Sequence, residues 1–441
     1  MTTEVAIMNR SAVALAADSA VTISTSNGYK VFDSANKLFE LIKGRPVGVM
    51  IYNNADIVQR PWETVIKTYR EDRRRARFDT LPEYTDDFLG YIRNQDKLFS
   101  EEQQEAAVIL SLASKASQIK ARINATVRAA LSQRERGTDA KVKKIVKRQI
   151  EDFKEFVESW DVGPWSSDLP SERSLLIKHR GKLDLVIDAV FQKLPMSEPT
   201  KSAFRRALLV SLVRFNEDDD SFSGLVISGF GHEDYYPRLR EYRVKGMLDG
   251  VLLAKTEAEE DISVIQPAYV ESFAQGDMVR SFTVGIQDHV RREMILFWND
   301  WLSKAEAKAR SEIRSIGGLN ASEAKELGKR FLGLSSTSVT DFLQHMQEYE
   351  DRIVKGELLQ SLSVLPKDEM GAMAESLVNL TSLKRRVSMK DAQTVGGAVD
   401  VALVSRGDGF IWLKRKHYFE QTLNPNWAMM HVGAAPDLDE V

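Results

Sequence analysis

The second residue of this 441-residue chain is a threonine, directly behind Met1, and no other residue combines type and position so usefully for chemistry. Once Met1 is removed, an N-terminal threonine offers a hydroxyl nucleophile and, on the same residue, an α-amine that serves as general base. The amine's ordinary pKa of about 7.7 to 8.0 puts proton transfer near working pH. Thr2 is small enough for the processing aminopeptidase, so removal of Met1 is expected. The other reactive residue types are poorly arranged. There is no cysteine, which excludes disulfides, thiolate catalysis and cysteine-ligated zinc. The histidines at 179, 232, 289, 345, 417 and 431 are scattered, with no pair at a metal-ligand spacing, so structural or surface roles are expected and no metal. GFGHED does not continue as a nucleotide-binding glycine loop, and the acidic run 217–220 lacks the calcium-loop pattern. No cofactor is expected.

A reactive chain end has to be held. The two apolar runs that follow, VAIM and AVALAAD, flank the polar turn Asn9-Arg10-Ser11 and predict a strand, a tight turn and a second strand ending on Asp18. A hairpin beginning at residue 2 leaves no room for a leader, and Glu4 with no basic residue before the apolar run contradicts a secretory signal. Val13 to Ala17 is apolar without alternation, which predicts a strand covered on both faces. Further strands are expected at KLFELI and RPVGVMIY, with Asn27-Gly28 marking a turn. From Pro61 the period becomes helical, and helices are expected around 101–136, 139–160, 182–194 and 201–215. Strands resume at SGLVISGFG and run to about Ala254. A second helical block covers about 275–380, with breaks near Gly317-Gly318 and at LGLSSTS. The chain closes on a hairpin of GGAVDVALVSR and GFIWLKRK, turned by Gly407-Asp408-Gly409. Strands and helices in segregated blocks predict an α+β fold with antiparallel sheets.

Composition narrows the class further. With 43% hydrophobic and 28% charged residues, the chain can bury a large core and is not of the disordered kind. A net charge of -3 with both signs interspersed gives no footprint for nucleic acid or a membrane surface. The basic clusters Arg73–Arg77 and Lys141–Arg148 have acidic neighbours and read as solvated faces or subunit contacts. No apolar stretch reaches the roughly 18 residues that span a bilayer, and a cytoplasmic location is expected.

The stretch TTEVAIMNRSAVALAADSAVT, from Thr2 to Thr22, resembles without a gap the opening of a proteasome β-type subunit, a member of the N-terminal nucleophile (Ntn) hydrolases. The resemblance sets Thr2 on the catalytic threonine and Asp18 on the aspartate closing the second strand. KLFEL resembles the lysine-bearing strand that follows, with Lys37 on the catalytic lysine. It implies that a lysine ammonium lowers the proton affinity of the threonine hydroxyl while the aspartate orients the lysine. GVMIYNNAD resembles the segment whose glycine-rich turn supplies an oxyanion amide. Here Tyr52, Asn53 and Asn54 replace the glycines, and the backbone of Tyr52 or Asn53 takes that role. DAQTVGGAVDVALVSRGDGFIW resembles the late segment where an aspartate and a serine support the nucleophile. Asp391 and Thr394 are the candidates, with the spacing off by one and no serine before Gly396-Gly397. For the serine ahead of the family's third helix, only SFAQGD at Ser272–Asp277 offers a loose match.

The resemblance covers 2 to about 60, 222–290 and 365–415. It implies a four-layer αββα sandwich of two antiparallel sheets with extra helices. Residues 1–78 then form the first part of the Ntn-hydrolase core, 79–215 a helical insertion, 216–422 the rest of the core with extended helices, and 423–441 an irregular tail. The function implied is a threonine peptidase or amide hydrolase acting on peptides or proteins. The resemblance also implies a homo-oligomer, and it admits an unfoldase or regulatory partner. Two alternatives remain open: an inactive scaffold of the same fold that binds partners through the insertion, and a small-amide Ntn hydrolase.

Overall fold

Side chains alternate along a strand with period two, and the opening of the chain uses that alternation to bury both faces. In the computed structural model, which describes residues 3–25, 28–95, 97–132, 139–192, 194–217, 219, 221–274, 276–315, 321–350, 352, 356–387, 396–417, 419–420, 423–424 and 426, strands β1 (Thr3–Asn9) and β2 (Val13–Ala17) form the expected hairpin. Asn9 shapes its turn, its Oδ1 accepting the N–H groups of Ser11 at 2.9 Å and Ala12 at 3.3 Å. Every residue of both strands is buried.

The chain divides into two compact units. The first comprises 1–38, 235–237 and 261–441. Its sheet runs β14 (Ala268–Ala274), β1, β2, β15 (Asp400–Ser405), β16 (Gly409–Lys414), with antiparallel neighbours throughout. Val5 and Ile7 of β1, Ala14 and Ala16 of β2, and Val401 and Leu403 of β15 share one core with Met370, Ala374, Leu377 and Val378 of α12 (Lys367–Val387). The alanines at 12, 14 and 16 are small enough for a helix to pack closely over the sheet. Helices α8 (Asp277–Val284) and α11 (Gly356–Ser363) complete that core through Val279 and Leu362. Two long helices, α9 (Asp288–Ser315) and α10 (Ala321–Tyr349), pair through Trp298 and Phe342, stacked at 5.1 Å. Strands β3 (Val21–Thr25) and β4 (Gly28–Phe32) form a separate hairpin.

The second unit comprises 39–234 and 238–260. Its sheet runs β13 (Val251–Asp261), β12 (Arg238–Leu248), β11 (Ser223–Gly229), β6 (Val47–Asn53), β5 (Leu38–Glu40). Trp62 and Tyr69 of α1 (Trp62–Asp72) and Tyr84 and Phe88 of α2 (Leu81–Arg93) pack on Val47, Val49, Leu225 and Ile227 of this sheet. A second core joins α3 (Glu101–Ser132), α4 (Asp139–Glu158), α5 (Glu172–Lys178), α6 (Arg180–Phe191) and α7 (Glu198–Val213) around Phe153, Leu183 and Phe204. Ser197 caps α7 by accepting the Thr200 N–H, with Pro199 in the first turn, where a missing N–H costs nothing. Two-residue strands β7 (Asp56–Ile57) and β8 (Arg60–Pro61) pair locally, and β9 (Asp161–Val162) and β10 (Arg214–Phe215) pair across the helical block between them.

The molecule is α+β with antiparallel sheets, and among the described residues no helix is long and apolar enough to cross a membrane. Three elements depart from expectation. Strand β14 occupies AYVESFA, where none is foreseen, and β13 runs to Asp261, past Ala254. Helix α10 continues through LGLSSTS, where a break is expected. Thr337 Oγ1 donates back to the Gly333 carbonyl at 2.9 Å, so its polar side chain is satisfied within the helix. The Gly317-Gly318 break lies outside the described residues.

The helical core of the second unit carries a buried charge cluster. The Asp219 carboxylate lies 2.7 Å from Lys115 Nζ and 3.1 Å from Lys245 Nζ, and Lys245 also donates to the carbonyls of Ser211 and Arg214. Burial by itself pushes the Asp219 carboxyl up, but the two lysines outweigh it and hold the group below its ordinary 3.8. A carboxyl lowered by folding contributes stability that is present above pH 3.8 and is lost as pH falls through the folded value. Asp219→Asn is expected to cost about 3 kcal/mol at pH 7, because two lysines lose their carboxylate. In urea unfolding the deficit of the variant relative to wild type shrinks below about pH 4; a deficit that is constant with pH excludes this assignment.

Candidate active site

Asp18 follows directly on β2 and is 1% exposed. Its Oδ1 accepts the Thr3 N–H at 3.2 Å and Lys37 Nζ at 2.5 Å, while Oδ2 accepts the Gly396 N–H at 3.1 Å. The backbone locks the same corner, since Asp18 N–H donates to the Thr3 carbonyl, Ser19 N–H to the Gly396 carbonyl and Ala35 N–H to the Ser19 carbonyl. The Ser19 hydroxyl donates to the Ala398 carbonyl. One carboxylate therefore ties the start of β1, the lysine ahead of β5 and the glycine pair ahead of β15.

Lys37 is 4% exposed and its Nζ lies 3.4 Å from Oε1 of Glu4, which is fully buried. Taking three charged groups out of water costs several kcal/mol each unless hydrogen bonds replace the lost hydration. The N–H groups of Thr3 and Gly396 supply two such bonds to Asp18. The arrangement holds a cation, with its counter-ions fixed, beside the first described residue of β1. That cation favours the ionised form of any hydroxyl within a few ångströms.

Sequence reasoning missed Glu4 as a site residue. Its signal was a carboxylate inside an apolar strand: Val5 and Ile7 join the core under α12, so Glu4, Ala6 and Met8 take the opposite face. Among the described residues the buried Thr3 hydroxyl has no hydrogen-bond partner.

The other proposed residues are distributed as follows. Thr2, Asp391 and Thr394 lie outside the described residues. Tyr52 and Asn53 end β6 in the second unit. The Tyr52 ring covers Gly224, its cross-strand partner, so closely that a Cβ there would fall 1.9 Å from the ring. The Tyr52 hydroxyl donates to Glu241 at 2.5 Å, and burial, with Glu241 adding to it, pushes the phenol far above its ordinary 10.0. Asn53 adopts φ 65°, a left-handed conformation that asparagine tolerates, and its Nδ2 donates to the Phe222 carbonyl at 2.8 Å. Ser272 lies on β14 opposite Val5, with its hydroxyl buried and unbonded among the described residues.

Gly397 has φ 79°, and a Cβ there would approach the Asp33 carbonyl oxygen to 2.9 Å and Ser19 Cβ to 3.2 Å. Gly397→Ala is expected to destabilise the protein by about 2 kcal/mol through a strained dihedral and a close contact. Since Gly396 supports Asp18, a slower reaction is expected as well; an unchanged urea midpoint would show that the loop absorbs the methyl. His179, expected to be structural or at the surface, is 3% exposed and its Nε2 lies 3.1 Å from Asp249 Oδ2.

Neither the known protein-family models nor the curated proteins contain a match to this chain.

Proposed function

We propose that the chain is an N-terminal threonine hydrolase of peptide or protein amide bonds, with Thr2 exposed by removal of Met1. The observation that carries this reading is the buried Lys37–Asp18 pair, whose carboxylate also accepts the N–H of Thr3, the residue bonded to Thr2. In the proposed reaction the Thr2 hydroxyl attacks the amide carbonyl and its proton passes to the α-amine. The leaving amine then takes that proton as the C–N bond breaks, giving an ester on Thr2. Water hydrolyses the ester, with the α-amine again accepting a proton and returning it to the hydroxyl. Lys37 stabilises negative charge at the nucleophile and Asp18 orients Lys37. The four-layer αββα sandwich, the homo-oligomer and an unfoldase or regulatory partner belong to the same proposal and rest on the sequence resemblance.

The test uses intact mass and a peptide epoxyketone, which requires a hydroxyl and an α-amine on one residue to form its ring adduct. The expected result is a chain lacking Met1 that gains one adduct, mapped to residue 2. Retention of Met1 on most molecules blocks the amine and overturns the proposal.

A further inference from the structure

We propose that Glu4 is a positioning residue for Lys37, an inference that rests on the hydrolase reading above and adds to it a second carboxylate. An ammonium has three N–H donors at tetrahedral directions. The Nζ of Lys37 donates to Asp18 at 2.5 Å and lies 3.4 Å from Glu4 Oε1, an ion pair without a hydrogen bond, so one N–H is fixed on Asp18 and the charge is also drawn toward a second fixed carboxylate. A single carboxylate leaves the lysine stem free to swing about the Nζ–O line; a second fixed negative charge restricts that swing and so the position of the ammonium.

Glu4 can hold that position because the sheet fixes it on both sides. It pairs with Ala17 of β2 and Phe273 of β14, and Ala17 directly precedes Asp18. The two carboxylates therefore move as one rigid body, Glu4 fully buried and Asp18 1% exposed. A glutamate among Val5, Ala6 and Met8 is a poor choice for packing alone, since an apolar residue there would carry no desolvation cost. Its contact with the ammonium helps to offset that cost.

The role differs from that of Asp18, whose carboxylate also closes the backbone of three segments. Glu4 therefore separates chemistry from folding better. In Glu4→Gln the amide keeps the volume, and Lys37 retains Asp18 as counter-ion. The expected outcome is a maximal rate of epoxyketone labelling at Thr2 slowed at least about tenfold, the effect of losing one of the two negative charges that hold the ammonium in place. The half-saturating concentration stays unchanged, because Glu4 is buried and does not touch the substrate. Glu4→Asp, a methylene shorter, is expected to behave like Glu4→Gln.

A Glu4→Gln protein labelled at the wild-type rate overturns the role of Glu4 and leaves the hydrolase reading standing. A wild-type protein that is not labelled at residue 2 overturns both. A rate loss that comes with a matching loss of half-saturation and of the unfolding midpoint marks a structural residue and also overturns the proposal. The contact has its own test, independent of activity. For Glu4→Gln, Lys37→Met and the double variant, the combined change in the unfolding equilibrium constant is expected to differ from the product of the single changes by at least about tenfold. Strict additivity removes the Glu4–Lys37 interaction and the inference with it.

Discussion

Thr2→Ala is expected to reduce peptide hydrolysis and epoxyketone labelling by a factor of about 10^4 or more. Alanine keeps the α-amine and, being smaller than threonine, permits removal of Met1, so the variant differs from wild type only in the side chain. What it removes is the nucleophile, and no base or cation substitutes for that. The neighbouring Thr3 does not inherit the role. Its hydroxyl is buried without a hydrogen bond among the described residues, and its nitrogen is an amide that donates to Asp18. Thr2→Ser keeps the hydroxyl and the amine and loses only a methyl group, so activity within about tenfold of wild type is expected, a methyl contact being worth little beside a nucleophile. The measurement is steady-state cleavage of a fluorogenic peptide alongside intact-mass labelling. Labelling of Thr2→Ala at the wild-type rate would move the nucleophile elsewhere in the chain.

Much of the fold was legible where one physical signal dominates. The hairpin at Thr3–Ala17 is written as two apolar runs around an Asn-led turn, and the final hairpin as two runs rich in apolar residues around Gly407-Asp408-Gly409. The end of strand β13 is not legible because TEAEED carries four acidic residues and no apolar one larger than alanine; in the sheet those carboxylates lie on a long, partly exposed strand, with Glu257 near Arg243 and Lys255. Strand β14 was overlooked because AYVESFA alternates too weakly to stand out, and its place beside β1 comes from pairing across more than 250 residues. Helix α10 shows the opposite error, in which a serine and threonine cluster was weighted as a breaker although a hydroxyl can bond back within the helix. The candidate site was legible only through resemblance. Nothing local links Asp18 to Lys37, which are separated by the whole β3–β4 hairpin, and their contact is a product of tertiary packing. Glu4 was readable in principle, because a charge at an inward position of a period-two strand demands a partner.

Lys37→Met is expected to lose labelling by about 10^3 and, unlike Thr2→Ala, to lose about 3 to 5 kcal/mol of stability in urea unfolding. Methionine fills the space of the lysine stem, so packing changes little, and the cost is electrostatic. Asp18 keeps the N–H groups of Thr3 and Gly396, but it and Glu4 remain as carboxylates within the same buried corner without the ammonium between them. Removing one member of a buried charge group in this way is far more damaging than removing all of them. The triple variant Glu4→Gln, Asp18→Asn, Lys37→Met is therefore expected to regain part of the stability lost by Lys37→Met while staying as inactive, short of the share forfeited because the amide nitrogen of Asp18→Asn cannot accept one of the two N–H groups that Asp18 holds. Were the three charges retained for folding, the triple variant would instead be the least stable of the set. Recovery of stability without recovery of labelling would mean that this cluster, costly to bury, is kept for what the ammonium does at the start of the chain.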